Sequence, residues 1–443
     1  MRSVFKKIEN VESDKICVNY YLFNKILILQ KSKSYTLKKT YILGLCISSK
    51  KLMDTVLKNT IDINCLEYLK NYKNNQAFGF WQNFLRAKTQ AKKIIYWFDH
   101  TGKGGTELYS INKINELKEE NLIIRIQNNG SNAFLITYFY KTFKDSLILN
   151  NENEIYLLIN NIIANSVVVN NLATYKNGVS ILSLIKKTKE KFNFTVTYMA
   201  HDYQAFCPVI TMVNNENTYC NEKNINHCES CIKCFKKIPI NIDSVKVYQD
   251  GYSFFLNNVV DNIIVFSKST KDIYLQFYPE IAEKIEIIPH NVKAFRKVKI
   301  KPHEPVNIAV LGNLAPPKGS LVVKKLDEII PNYKNINIKL IGICKGIKFK
   351  NIKVTGLYKL EELPDIIERE QIDIVFIPSV CPETFSFTAS EALSMGLPIA
   401  CFNLGAPVEK IIPNVNGIVF DNYDCNVVLN KLRDFIIKKR CRK

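Results

Sequence analysis

Residues 372–402 read IDIVFIPSVCPETFSFTASEALSMGLPIACF, and this stretch decides the fold. A short run, Ile372–Ile377, apolar apart from Asp373, ends at Pro378. A Cys-Pro corner follows, then a helical pattern from about Thr384, then a second apolar run at Pro398–Phe402. Short, wholly apolar strands belong to parallel sheets buried on both faces, and the helix between them is the crossover that joins them.

The same alternation extends outward. Before this stretch lie Val306–Leu311, Ile336–Ile343 and Val354; after it come Gly417–Phe420 and a helical pattern over 425–440. A Pro-bearing, basic stretch between Pro289 and Pro305 separates this series from an earlier one. That one has apolar runs at Ile94–Phe98, 122–126, 134–139, 166–170, 194–199 and 262–266, most of them separated by helical patterns. A further run in the 140s has no evident place. The reading is an α/β chain of two doubly wound, Rossmann-like domains facing a cleft, without a fixed-period repeat. The expected boundaries are a basic extension at 1–91 (a hairpin from Lys25–Gln30 and Thr40–Ile47, then helical segments), a first domain at 92–290, a linker at 291–304, a second domain at 305–424 and a basic helix at 425–443.

Composition agrees with a folded, two-domain chain: 443 residues, 47% hydrophobic and 23% charged, which excludes disordered and collagenous classes. The net charge of +20 suggests a polyanion binder until it is partitioned. Residues 1–93 carry +12 and residues 431–443 carry +6, which leaves +2 for 94–430. The motif-bearing centre is nearly neutral, so no nucleic-acid partner is expected. The basic ends suit an anionic membrane surface, with Lys-rich composition as the plain alternative. No apolar run reaches the ~18–20 residues of a membrane span, and the first residues lack the apolar core of a secretory signal. The expected place is the cytoplasm, peripheral at the inner face of the membrane.

In open α/β sheets ligands bind beyond the carboxyl ends of strands. Four such places carry polar chemistry. His100-Thr-Gly-Lys-Gly-Gly-Thr-Glu-Leu108 offers Gly104 and Gly105 for close approach to an anion, or for a simple turn. Ala200-His-Asp-Tyr puts His201 and Asp202 at a strand end, where the imidazole serves a cleft or the fold itself. In Leu311-Gly-Asn-Leu-Ala-Pro-Pro-Lys-Gly319, Gly312 begins the turn and Lys318 can neutralise phosphate. In the opening stretch, the N–H groups of Thr384, Phe385 and Ser386 can hold a diphosphate. Glu383 and Glu391 can accept from sugar hydroxyls, Glu391 having helix capping as its alternative.

Glu383-x7-Glu391 within PETFSFTASEALSMGLP, together with GNLAPPKG, resembles the donor half of GT-B glycosyltransferases, in particular the retaining family 4 (group 1) enzymes. The GGTE and HDY stretches resemble that family's first half. The resemblance covers roughly residues 92–425. It implies that Glu391 contacts the nucleotide ribose and Glu383 the transferred sugar. Lys318 and residues 384–386 would hold the diphosphate, with Gly104 and Gly105 approaching it. His201 would sit near the reacting carbon, with His201 and Glu383 as the catalytic pair. Asn313 stands where the family often carries Arg. The implied activity is transfer of a sugar from a nucleotide-diphosphate donor to a glycan or lipid-linked saccharide in cell-surface polysaccharide synthesis, with no cofactor required for catalysis. A sugar-nucleotide epimerase on the same fold is the alternative enzyme, and a zinc-bearing nucleic-acid binder the alternative outside enzymes.

Five of the thirteen cysteines fall within residues 207–234. Cys207, Cys220, Cys231 and Cys234 offer a structural zinc tetrad inside an insertion at 203–238, with Cys228 and His227 as substitutes. Free thiols and redox chemistry are the alternatives.

Overall fold

The structure, a computed structural model, describes residues 27–29, 40–42, 45–47, 75–130, 132–221, 225–234 and 244–441. The chain forms two compact units, one of Met1–Phe98, Ile111–Val167 and Lys187–Phe194, the other of Asp99–Ser110, Val168–Lys186 and Thr195–Lys443.

In the first unit, β1 (Leu27–Leu29), β2 (Thr40–Ile42) and β3 (Leu45–Ile47) pair antiparallel in that order. The remaining expectations for residues 1–74, including the origin of the N-terminal charge, lie outside the described residues. Helix α1 (Asn75–Gln90) places Phe80 and Phe84 one turn apart against Tyr138, ring centroids 5.2 and 5.6 Å away. Strand β4 (Ile94–Asp99) leads to α2 (Gly105–Leu117), β5 (Leu122–Asn128), β6 (Phe134–Tyr140) and β7 (Phe143–Leu149). Strand β7 is the unplaced run of the 140s. Both β5–β6 and β6–β7 are antiparallel, unlike the all-parallel expectation. The reason is loop length: two residues between β6 and β7, and five between β5 and β6, cannot make a parallel crossover.

After α3 (Glu152–Asn161), strand β8 (Ser166–Val169) ends in the second unit, as β4 does at Asp99. The second unit continues with α4 (Gly178–Lys189), β9 (Thr195–Met199), α5 (Ile225–Cys234), α6 (Val245–Asn258), β10 (Asn262–Val265), α7 (Lys268–Phe277) and β11 (Ile285–Ile287). Strands β9, β10 and β11 pair in parallel. Residues 288–303 contain no helix or strand.

The last part comprises β12 (Val306–Leu314), α8 (Ser320–Ile329), β13 (Ile336–Cys344), β14 (Lys353–Val354), α9 (Leu363–Arg369), β15 (Ile374–Ile377), α10 (Phe387–Ser394), β16 (Ile399–Phe402), α11 (Ala406–Glu409), β17 (Gly417–Phe420) and α12 (Cys425–Cys441). Its six strands are all parallel in the order β14-β13-β12-β15-β16-β17. Alternate residues serve opposite faces: Ile308, Val310, Ile374 and Phe376 pack in one core, Ala309, Leu311, Val375 and Ile377 in the other. Two apolar faces require helices on both sides, the doubly wound pattern. The strand order reverses between β12 and β15, and a crevice opens at their carboxyl ends.

Candidate functional site

The crevice is a cavity of about 490 Å³ lined wholly by residues of the second unit. Its walls come from the turns after β4, β9, β12 and β15, together with His290, which follows β11. Of the residues singled out in the sequence, Gly104, Gly105, His201, Gly312, Lys318, Glu383, Thr384, Phe385 and Ser386 all line it. Glu391 does not, although Thr388 of the same helix does.

Glycine geometry brings two of these turns together. Gly319 has φ +84°, and a Cβ there would stand 2.0 Å from the Pro378 carbonyl oxygen, so only glycine lets the β12 and β15 turns meet. A Cβ on Gly105 would stand 2.7 Å from the Phe387 ring, so the loop after β4 rests on the first turn of α10.

Helix α10 begins at Phe387 rather than near Thr384. Ser386 is its N-cap, with φ +80°, and its hydroxyl accepts from the Ala389 N–H at 3.3 Å. A non-glycine residue in this region stores of order 1–3 kcal/mol of strain, which the cap offsets in part. Thr384, Phe385 and Ser386 therefore form the lead-in to the helix. The capping role that was the alternative for Glu391 belongs to Ser386.

The Glu383 carboxylate is buried and accepts from Lys318 Nζ at 2.7 Å and from Ser379 Oγ at 2.5 Å. Burial alone would raise its pKa; the Lys318 charge and bonds from Lys318, Ser379 and Ser386 outweigh it and hold the carboxyl below the ordinary glutamate range. Glu391 has no such support, and burial pushes its carboxyl up to about 7.

His201 belongs to a buried chain. Its Nε2 lies 3.0 Å from Asn170 Oδ1, Asn170 Nδ2 donates to Asp99 Oδ1 at 2.8 Å, and Ser110 Oγ donates to Asp99 Oδ2 at 2.6 Å. Because Asp99 fixes the Asn170 amide, its oxygen faces His201, and the proton sits on Nε2. Burial, reinforced by His290, holds the His201 pKa well below the ordinary value, so the ring is neutral. Asp202 instead braces its own turn, accepting from Asn171 Nδ2 and the Gln204 N–H, each at 2.8 Å. Thr384 Oγ1 donates to the His201 carbonyl at 3.0 Å and ties this turn to the β15 turn.

Sequence reasoning missed His290, Ser379 and Lys103. His290 stacks on Phe266 with centroids 4.0 Å apart and on Phe387 at 5.1 Å. Burial, then the Lys410 charge, lowers its pKa to about 4. Its place after Pro289, and the scarcity of histidine (five in the chain), were the available signals.

Among the described residues, the four expected zinc ligands are not drawn together. The one group of three or more His, Cys, Asp or Glu ligand atoms within 4.8 Å of one another is Asp99, His100 and Glu107. The cysteines are free and are electrostatic neighbours nonetheless: Cys207 responds to Cys228 and Cys220, and Cys231 to Cys220 and Cys234. Burial pushes the Cys207 thiol up to about 12. The insertion is anchored by Val213, which is buried in the same core as Ile308 and Phe376.

Residues 268–443 match the family model of the glycosyl transferases, group 1. A stretch of 136 residues is 28% identical to sucrose synthase 6 of Oryza sativa subsp. japonica; it is 30% of this chain and 15% of the rice protein's length. The fold is that of GT-B glycosyltransferases. A solved structure of Anabaena Alr3699/HepE in complex with UDP matches with a TM-score of 0.50 at 13% identity, covering 77% of this chain and 90% of that one. The lipopolysaccharide outer core galactosyltransferase WaaB, in its apo form, matches at 0.50 and 15% identity, covering 78% and 91%.

Proposed function

We propose, from the match of residues 268–443 to the glycosyl transferases, group 1, that the chain moves a sugar from a nucleotide-diphosphate donor to a saccharide acceptor with retention of configuration. The observation that carries this reading is the gathering of Gly104, Gly105, Gly312, Lys318, Glu383 and residues 384–386 around one cavity at a strand-order reversal.

Breaking the bond between sugar and diphosphate leaves negative charge on the departing oxygens and positive charge on the sugar. Lys318 stabilises the leaving group, helped by the polar lead-in to α10. As the diphosphate draws Lys318 away, Glu383 is released to accept from the sugar's hydroxyls, which makes it a positioning group. His201 is neutral with Nε2 protonated, so it contributes hydrogen bonds rather than charge. Retention follows if the acceptor attacks from the face the diphosphate leaves, a phosphate oxygen taking the acceptor's proton. Glu391 serves the ribose. The acceptor class proposed is a glycan or lipid-linked saccharide of the cell surface, reached from the cytoplasmic side.

The decisive experiment screens nucleotide sugars for donor hydrolysis and for thermal stabilisation of the protein. A folded protein that responds to none of them overturns the reading.

Two attributes are proposed with it. The free thiols of Cys207, Cys220, Cys231 and Cys234 have the donor chemistry for a structural zinc that would brace the insertion. Protein purified without chelator and lacking zinc by elemental analysis removes that proposal. Peripheral membrane attachment is supported by the charge at the chain ends. In α12, Arg440 is committed to Asp373 at 2.7 Å and Lys439 to the Val415 carbonyl, which leaves Lys431 and Lys438 exposed. No described helix is long and apolar enough to cross a membrane. Equal sedimentation of full-length and end-trimmed protein with anionic liposomes would sink the attachment.

A further inference from the structure

The charged groups around the cavity do not contribute equally. Glu383 is matched by Lys318 at 2.7 Å, so these two cancel. His201 and His290 are held neutral, chiefly by burial. The remaining full charge on the cavity wall is Lys103, which is exposed and, among the described residues, has no hydrogen-bond or ion-pair partner. Lys318 alone would have to abandon a buried carboxylate to serve an incoming anion.

The loop that carries Lys103 is both anchored and permissive. Gly105 rests on Phe387, so the chain is fixed beside residues 384–388 on the opposite wall. Gly104 has φ +132° with open space where a Cβ would be, and Gly102 lies on the other side. Lys103 thus stands on a short stretch with little side-chain bulk, at the rim of the cavity that lacks a matched cation. A lysine that only solvated the surface would have no such relation to the wall facing it.

We infer that Lys103 is a binding residue for the diphosphate of the donor, the free cation that meets the phosphates before and alongside Lys318. This rests on the nucleotide-diphosphate reading given above. It also assigns the loop after β4 a charge contribution in addition to close backbone approach.

The test measures binding of UDP, GDP, ADP and CDP by calorimetry to the full chain, as wild type, Lys103→Ala, Lys103→Gln and Lys103→Arg. For the nucleotide bound best, the monophosphate is measured as well. Lys103→Ala and Lys103→Gln should weaken the diphosphate roughly tenfold and the monophosphate by less than about threefold, with Lys103→Arg close to wild type. The Lys103-dependent difference should shrink at high salt, since an exposed lysine is screened over about 8–10 Å. Thermal midpoints should be unchanged, because the side chain is exposed and unpartnered. If Ala and Gln variants bind the diphosphate within about twofold of wild type, or weaken mono- and diphosphate equally, the assignment is overturned while the donor reading stands. If wild type binds none of the four diphosphates, both fall together.

Discussion

The pairing of Lys318 with Glu383 can be tested by a double-mutant cycle of Lys318→Ala, Glu383→Gln and the two combined. The Nζ–Oε1 distance is 2.7 Å, and the side chains are 48% and 8% exposed. An exposed ion pair contributes ~0.2–1 kcal/mol. Stranding one partner of a fully buried pair costs ~3–5 kcal/mol. Here the anion is buried and the cation is half in water, so the coupling should lie between, at roughly 1–2 kcal/mol. Lys318→Ala should be the costlier single change, at roughly 2 kcal/mol, because it leaves a desolvated carboxylate with only the Ser379 and Ser386 hydroxyls. Glu383→Gln keeps an acceptor for Ser379 and should cost less. In a unit of this size that corresponds to a fall of very roughly 4 °C in thermal midpoint for Lys318→Ala, read by calorimetry. The pH dependence follows from the lowered Glu383 pKa. The carboxylate's contribution is complete above the ordinary glutamate value of 4.5 and is lost as pH falls through the lower folded value. The difference between wild type and Lys318→Ala should therefore persist through neutral pH and close only in acid. Additivity of the two single changes within ~0.3–0.5 kcal/mol at pH 7.5 would refute the coupling.

Gly105→Ala should lower stability by ~1–3 kcal/mol and weaken nucleotide binding, because its Cβ would stand 2.7 Å from the Phe387 ring; denaturation and calorimetry read both. Glu391, raised to about 7, should cost stability progressively as pH rises from about 4.5 to 7, by up to ~1.4 kcal/mol per unit. Glu391→Gln should flatten that slope in a pH series of thermal midpoints, and a slope unchanged by the substitution would contradict the assignment. Asn170→Leu should cost ~1–3 kcal/mol by leaving Asp99 short of a donor, and should lower kcat more than it raises KM, since His201 loses its fixed tautomer. Because His201 is neutral, the wild-type rate should show no inflection near its ordinary pKa of 6.5.

Much of the last part of the chain was legible because its strands are mostly apolar runs with Pro and Gly in the turns between them. Ile308–Leu311 and Ile374–Ile377 are continuous apolar runs that read as buried strands, and the turns that follow them carry the polar residues of the candidate site. The antiparallel pair β6–β7 was less clear, since apolar runs alone do not state strand direction; only the two-residue connection does. Helix α10 starts three residues later than its pattern predicts because Ser386 takes a positive φ and caps the helix. His290 gave only a weak signal, its place after Pro289, because its neighbours in the cavity, Phe266 and Phe387, are distant in the chain. The cysteine cluster stood out by spacing, yet spacing does not place sulfur atoms, and the described residues do not gather the four expected ones into a ligand set.

The sequence by itself determined the class of fold and the position of its functional turns, because periodicity, turn residues and the place of a strand's end are local properties of the chain. It also located the net charge at the two ends. Tertiary structure decided the electrostatics of the site: that Lys318 is already paired with Glu383, that His201 is neutral with its proton on Nε2, that Glu391 stands off the cavity wall, and that Lys103 is, among the described residues, the cavity-wall cation without a partner. The first two depend on burial and on groups brought together across 31 to 71 residues of chain, and no local pattern encodes a field.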